Sequence, residues 1–467
     1  MRPAWRGLPV ALVLLAPACV IRLADRNAPA VNGAVTGEPA NCSGVTPEPR
    51  GAPGGDAEVL FVGRFDRRDE NQAIFDWSGN YVAARFEGSS VRVRLTALEA
   101  DAIFWAVVDD LPPVRIHVES AIAQPEGKAP PGVYTIATGL RGGPHDVVVH
   151  RNTEAQSGPT VFGGFEIDGT LLPPVRRPRR IEVIGDSITC GYGNEGANAT
   201  CPFDVEVRRK GNCPEVITPT TNLDRDWPTC EVARVPATEN QYLAYSSIAA
   251  RELDADVVTI CWSGKGVEKN YRERSIDPNR LVTLPQMWRE RTLAGRANVE
   301  TPDGVSGVAW DFASEPEPQV VVINLGTNDF TRDVAKNNEG FAYDGDNGDN
   351  LPDGTIYQPG GLESYERTFR EFVAEVRTRR PNAHIFLAVP PMLTDQYPLD
   401  DARATHKRVL LSIVDSFTKS GDSKVYAMEL VEQGVRYGLG CDYHPNLITH
   451  QIMAKQLVGA IRSKTCW

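Results

Sequence analysis

Hydrophobic positions change their rhythm about 180 residues into the chain. Between residues 59 and 172 they come in short runs that alternate with polar residues. In "SSVRVRLTAL", Val91, Val93 and Leu95 fall on one face of a strand and their neighbours on the other. "DAIFWAVVDD", "GVYTIATGL" and "HDVVVHR" follow at short spacing, broken by turn residues and without a helical period. Such strands predict an antiparallel β-sandwich, jelly-roll-like in outline.

Beyond Arg180 the apolar runs become continuous. "ADVVTICW", "PQVVVINLG", "AHIFLAVPP" and "SKVYAMEL" read as parallel strands covered on both faces. Helical stripes lie between them. Tyr365, Phe369, Phe372, Val373 and Val376 repeat at helical spacing, with Pro381 beyond the end. "NQYLAYSSIAAREL" and "HQIMAKQLVGAI" carry similar stripes. Alternating strands and helices predict a three-layer α/β/α domain with a parallel sheet. A chain of 467 residues exceeds one ordinary core, so two domains are expected, at residues 57–175 and 176–467.

The residues ahead of the sandwich fit neither pattern. Arg2 and Arg6 precede an apolar run from Leu8 to Ala18 that is too short to cross a bilayer, and "APA" ahead of Cys19 suits a signal peptidase. Residues 1–18 therefore read as a signal peptide, and residues 19–56, rich in Gly, Pro and Asn, as a flexible linker. Bacterial lipoproteins keep a cysteine at the position of Cys19, but the aliphatic residue usual three places earlier is here Ala16, so a lipid anchor stays open. The expected location is outside the cytoplasm: secreted, periplasmic or lipid-anchored at the cell surface.

Charge narrows the partners. The net charge of −12 argues against nucleic acid, and the one basic run, "VRRPRR" at 175–180, contains proline and reads as a solvated linker. Nine cysteines, or eight without Cys19, suit disulfides in an oxidising compartment. Cys201, Cys213 and Cys230 sit in a polar stretch with no strand or helix period and read as a stapled loop; zinc has no nearby histidine to use there.

Candidate chemistry gathers at the predicted strand ends. The run "RRIEVIGDSITCGYG" leaves a buried strand and at once presents Ser187. "CWSGKG" ends the next strand, "LGTNDF" the one after, and "CDYHPN" precedes the last helix. Taken singly, Ser187 suits a helix N-cap, Gly264 and Asn328 suit turns, and His444 suits a helix start. Together they supply what acyl transfer needs. Ser187 is a nucleophile, His444 its base, and the N–H of Ser187, the N–H of Gly264 and the Asn328 amide are oxyanion donors. Gly266 competes with Gly264 in the same loop, and His450 is the rival histidine, inside a helical pattern.

"GDSIT", the glycine of the second loop, "GTND" and the late histidine resemble the four blocks of SGNH-type (GDSL) hydrolases. "YLAYSSIAAREL", "WSGKGV", "VVINLGTNDF", "CDYHPN", "ARFEGSSVRVRL" and "FGGFEIDG" are similar to family-2 carbohydrate esterases over residues 59–465. The resemblance implies a β-sandwich before an SGNH domain, and removal of O-acetyl groups from polysaccharides or oligosaccharides such as xylan or glucomannan. It also implies no metal or organic cofactor, and a monomer is the expected state. Alternatives are an SGNH lipase or thioesterase acting on other short-chain esters, or a carbohydrate-binding protein whose hydrolase domain is inactive.

Four further features remain. Many SGNH hydrolases place an aspartate three residues before the histidine; here that position is Cys441, and Asp442 is the nearby carboxylate. Either Asp442 or a main-chain carbonyl, as in some of the resembling esterases, then orients His444. Cys190 and Cys441 lie three residues from Ser187 and His444, and a disulfide between them would pin the two loops; Cys190 alternatively serves as a small buried hydrophobe. "DGDNGDNLPDG" at 344–354 offers Asp344, Asp346, Asp349 and Asp353 as calcium-type oxygens, though a solvated loop fits better because no EF-hand register is met. Trp262, Trp310, Tyr343 and Tyr357 are candidates to line a sugar channel, with core packing the default for Trp262.

Overall fold

The computed structural model describes residues 35–42, 58–69, 71–120, 132–203, 206–213, 228–271, 282–295, 309–331, 361–396, 401–434 and 436–467. The first domain is built of β1 (Leu60–Val62), β2 (Ala73–Phe75), β3 (Tyr81–Glu87), β4 (Val91–Ala97), β5 (Ala102–Val108), β6 (Val114–Val118), β7 (Val133–Ala137), β8 (Pro144–Arg151), β9 (Thr160–Ile167) and β10 (Thr170–Leu172). One antiparallel sheet runs β1-β3-β8-β5-β6, with β10 also on β3; the other runs β2-β9-β4-β7. Alternation along β4 is strict: Val91, Val93, Leu95 and Ala97 are buried while Arg92, Arg94 and Thr96 face out. Between the sheets these pack with Phe75, Phe86 and Phe104 into one core.

The second domain carries β11 (Arg179–Gly185), β12 (Glu206–Lys210), β13 (Glu231–Val235), β14 (Ala255–Cys261), β15 (Val320–Asn324), β16 (His384–Val389) and β17 (Val425–Glu429). Its sheet runs β14-β11-β15-β16-β17, and every neighbouring pair is parallel. Its helices are α1 (Ser187–Cys190), α2 (Tyr245–Glu252), α3 (Leu284–Glu290), α4 (Gly361–Arg379), α5 (Ala402–Lys419) and α6 (Leu447–Thr465). Helices α3, α4 and α5 cover one face and α2 and α6 the other. Both faces of β15 are used: Val321 and Ile323 enter the first layer, Val320 and Val322 the second. That double burial is why the run is apolar without alternation. On α4 the buried residues include Tyr365, Phe369, Phe372, Val373 and Val376, the stripe read from spacing.

Buried polar groups join the domains. The Arg64 guanidinium, fully buried, donates to the carbonyls of Trp288 at 2.7 Å and Arg291 at 2.6 Å, satisfying the C-terminal end of α3. Trp310 lies over that guanidinium at 4.7 Å, so it serves the domain junction. The Trp77 indole N–H donates to the Thr292 carbonyl at 2.9 Å, and Asp76 accepts the amides of Ala294 and Gly295, both at 2.7 Å.

Three expectations are corrected. Within the stretch read as a flexible linker, residues 35–42 are docked: Thr36 N–H donates to the Ala427 carbonyl at 3.0 Å, Lys464 caps the carbonyls of Gly37 and Glu38, and Cys42 is bonded to Cys466. The cross-link fixes this segment to the last helix, which composition does not reveal. The stretch read as lacking strand period contains the antiparallel pair β12–β13, closed by Cys213–Cys230. Cys190 and Cys441 do not pair with each other; Cys190 bonds Cys261 at the end of β14, and Cys441 bonds Cys201. Strand adjacency decides the first of these, because β14 is the neighbour of β11 and brings Cys261 within 5.6 Å (Cα–Cα) of Cys190. The signal segment 1–18, the acidic run 344–354, Tyr343 and Tyr357 lie outside the described residues.

Candidate active site

In the strand order β14-β11-β15 the chain goes from β11 to β14 and then crosses to β15 on the other side, so the carboxyl ends of these strands form a topological switch point, where open α/β sheets bind ligands. Ser187 opens α1 after β11, and Gly264 and Asn328 stand on the loops after β14 and β15. The turn after β11 is tight: a side chain on Gly185 would meet the Thr189 hydroxyl at 2.0 Å, so only glycine fits. Asp186 caps α1, accepting the Ile188 N–H at 3.0 Å. The N-cap role therefore belongs to Asp186, and Ser187 is the first helical residue.

The Ser187 hydroxyl lies 2.9 Å from Nε2 of His444. The other ring nitrogen, Nδ1, donates to the main-chain carbonyl of Asp442 at 2.8 Å. A proton held on Nδ1 leaves the Nε2 lone pair facing the serine, the tautomer a general base needs. The Asp442 carboxylate turns away, toward the Tyr192 hydroxyl at 3.4 Å. Asp442 adopts φ 50° and Tyr443 φ 59°, left-handed conformations that present the carbonyl, and not the carboxylate, to the ring. Burial lowers the His444 pKa from its ordinary value, opposed by the Asp442 carbonyl, so the neutral ring is favoured.

The oxyanion candidates are tied together. The Asn328 side-chain amide donates to the Lys265 carbonyl at 2.9 Å and reaches Asp186 Oδ2 at 3.4 Å. Gly264 has φ 77°, whereas Gly266 is pressed against the Lys269 carbonyl, which a side chain there would meet at 1.9 Å. Gly264 thus supplies the turn and Gly266 the close packing. Asp329, fully buried, accepts the amides of Val267, Glu268 and Lys269 at 2.8 to 3.1 Å and clamps the loop from below. Burial pushes the Asp329 carboxyl up to about 6 and that of Asp186 up to about 7.

Comparison with known proteins joins this geometry to a family. Residues 61–174 match the family model described as Carbohydrate esterase 2 N-terminal, and residues 183–452 that of the GDSL-like Lipase/Acylhydrolase family. A solved family two carbohydrate esterase from Clostridium thermocellum, in complex with cellohexaose, shares 30% identity over 86% of this chain and 98% of its own, at a TM-score of 0.61. The chain belongs to carbohydrate esterase family two. The Cellulase/esterase CelE of Acetivibrio thermocellus is 32% identical over 88% of this chain, which spans only 40% of that relative's length. An Acetylxylan esterase / glucomannan deacetylase of Cellvibrio japonicus is 25% identical over 84% of this chain and 85% of its own. The resemblance and the two-domain architecture read from the sequence are borne out.

Several residues of this family-two chain escaped the sequence reading. Tyr192 stacks on Phe203 at 3.8 Å and leans on the His444 ring at 4.3 Å, walling the imidazole. Asp186 and Asp329 stood inside the quoted "GDSIT" and "LGTNDF" blocks, yet their use as backbone clamps has no sequence signature. His450 is fully buried in α6, and its Nδ1 accepts the Tyr245 N–H at 3.1 Å, a structural role. Trp262, partly buried, packs against the core just beyond β14.

Proposed function

We propose that this family-two chain is a serine esterase that removes O-acetyl groups from plant polysaccharides such as acetylated xylan or glucomannan. The observation that carries the reading is the 2.9 Å contact between Ser187 Oγ and His444 Nε2 at the carboxyl ends of the parallel strands. His444 takes the hydroxyl proton as Oγ attacks the acetyl carbonyl. The carbonyl π electrons become an oxyanion held by the Ser187 N–H, the Gly264 N–H and the Asn328 amide. Collapse breaks the ester C–O bond, and His444 gives its proton to the departing sugar oxygen. Water, deprotonated by His444, then attacks the acetyl-enzyme; acetate leaves and Ser187 Oγ regains its proton. The Asp442 carbonyl holds the ring throughout. The names and bound sugar of the relatives support a saccharide substrate, and the four disulfides among the described residues support work in an oxidising compartment.

The test is acetate release from acetylated xylan and acetylated glucomannan, beside a 4-nitrophenyl acetate control. Release from either polysaccharide is expected. Turnover of the synthetic ester alone would keep the chemistry and overturn the substrate class.

A further inference from the structure

One carboxylate of the sandwich reaches the hydrolytic loops. Glu154, just beyond β8 and buried, accepts the Ser263 N–H at 2.6 Å and also the Ser263 hydroxyl. Ser263 is the second residue of a turn over residues 262–265, closed by Lys265 N–H to the Trp262 carbonyl at 3.3 Å. Gly264 is the third, and its φ of 77° is the positive angle that a type II turn demands there. Glu154 therefore fixes the peptide immediately ahead of the Gly264 N–H.

Other polar contacts between the domains end elsewhere, among them Arg64 on the carbonyls closing α3, Trp77 on Thr292, Asp76 on Ala294 and Gly295, Ser78 on Thr259, Tyr81 on Asp256 and Arg115 on Ala237. Glu154 is itself held firmly. Arg151, fully buried, donates to the carbonyls of Thr153, Glu154 and Gly158, and the Glu154 N–H donates to Glu239 Oε2 at 3.2 Å. Glu239 is buried as well, and burial pushes both carboxyls up, that of Glu239 further because it adjoins Glu154. A buried carboxyl must find hydrogen-bond partners, and here both Glu154 oxygens accept from the residue beside Gly264.

We propose that Glu154 is a positioning residue of the esterase, anchoring Ser263 by its N–H and hydroxyl so that the next peptide presents the Gly264 N–H to the oxyanion without reorganising. The β-sandwich is then part of the hydrolytic machinery and not only a neighbour of it. This rests on the oxyanion role proposed above for Gly264.

The experiment compares Glu154→Ala, Glu154→Gln and Ser263→Ala in the full chain with 4-nitrophenyl acetate, each preparation normalised by titration with a serine-directed phosphonate. Glu154→Ala is expected to lower kcat about 10- to 100-fold with KM within about twofold, the pattern of a lost transition-state contact. Glu154→Gln keeps an acceptor for the Ser263 N–H and is expected to recover part of kcat; Ser263→Ala, which keeps that N–H, is expected to lose about threefold. Equal kcat in Glu154→Ala and wild type, or a loss accounted for by fewer titratable sites, overturns the inference. Should Glu154→Ala not fold, unchanged kcat in both other variants overturns it, and reduced kcat at constant KM supports it. Wild type without turnover would overturn the esterase reading and this inference with it, whereas an active wild type with indifferent variants overturns this inference alone.

Discussion

Ser187 and His444 meet at 2.9 Å but are held there by opposite means. Ser187 stands two residues beyond the end of a central strand, and its backbone is fixed by that strand and by the capped first turn of α1. His444 stands on irregular chain, next to two left-handed residues and three residues after a cysteine bonded to a distant loop. Its surroundings are assembled from tertiary contacts: Cys441 N–H to the Gly193 carbonyl at 2.9 Å, Tyr443 N–H to the Ala199 carbonyl at 3.2 Å, and the Tyr192 ring against the imidazole. The proposed nucleophile is placed by secondary structure, the proposed base by contacts between loops. Rigidity near a reacting atom can come from either source, but the two fail differently.

Removing the groups themselves gives the largest effects. Ser187→Ala is expected to lower kcat by ~10⁴-fold or more while thermal unfolding stays close to wild type, since a residue on a strand end loses only one oxygen. Asn328→Ala is expected to lower kcat ~10²- to 10³-fold, the usual cost of one oxyanion donor. Steady-state kinetics on a short acetyl ester checks both. A stronger loss of stability than of turnover in either variant would break the assignment of these residues to chemistry.

The same contrast explains what the sequence reveals. The strands could be located because double burial makes a run apolar without alternation, and "VVVIN" and "HIFLAV" show it plainly. The serine followed, since a strand end is itself a position in space. The two domains and the stripe on α4 were legible for the same reason. The histidine was legible as a residue type in "CDYHPN", but its orienting group was not. Whether Asp442 offers its carboxylate or its carbonyl depends on a backbone φ of 50°, which no spacing encodes. Disulfide pairing was illegible too, because Cys190–Cys261 follows from which strands are neighbours and Cys201–Cys441 from how two loops fold together. Glu154 carries no motif at all; it becomes visible only when the sandwich is laid against the loop after β14.

Smaller effects sharpen the comparison from the side of the histidine. Replacing Cys201 and Cys441 by serine removes the cross-link from the base alone, and is expected to cost ~2–5 kcal/mol of stability. Among molecules still folded, kcat is expected to fall about 10-fold or more, because a base displaced by a fraction of its hydrogen-bond length transfers protons poorly. Calorimetry with kinetics below the shifted Tm separates the two terms. The lowered pKa of His444 sets the acid limb of kcat/KM: the base must be neutral, so activity is retained below the ordinary histidine value near 6.5 and is lost as pH falls through the lowered pKa. A limb centred above the ordinary value would mean that a carboxylate, not a carbonyl, faces the ring.

The most direct test is kcat/KM of Asp442→Asn. Asparagine tolerates the left-handed backbone and keeps the carbonyl, while removing the carboxylate charge. With the main-chain carbonyl orienting His444, turnover is expected within about threefold of wild type, where loss of the carboxylate from a serine–histidine–aspartate triad costs ~10⁴-fold. A loss of that larger size would contradict the account and restore Asp442 as the third member of a triad.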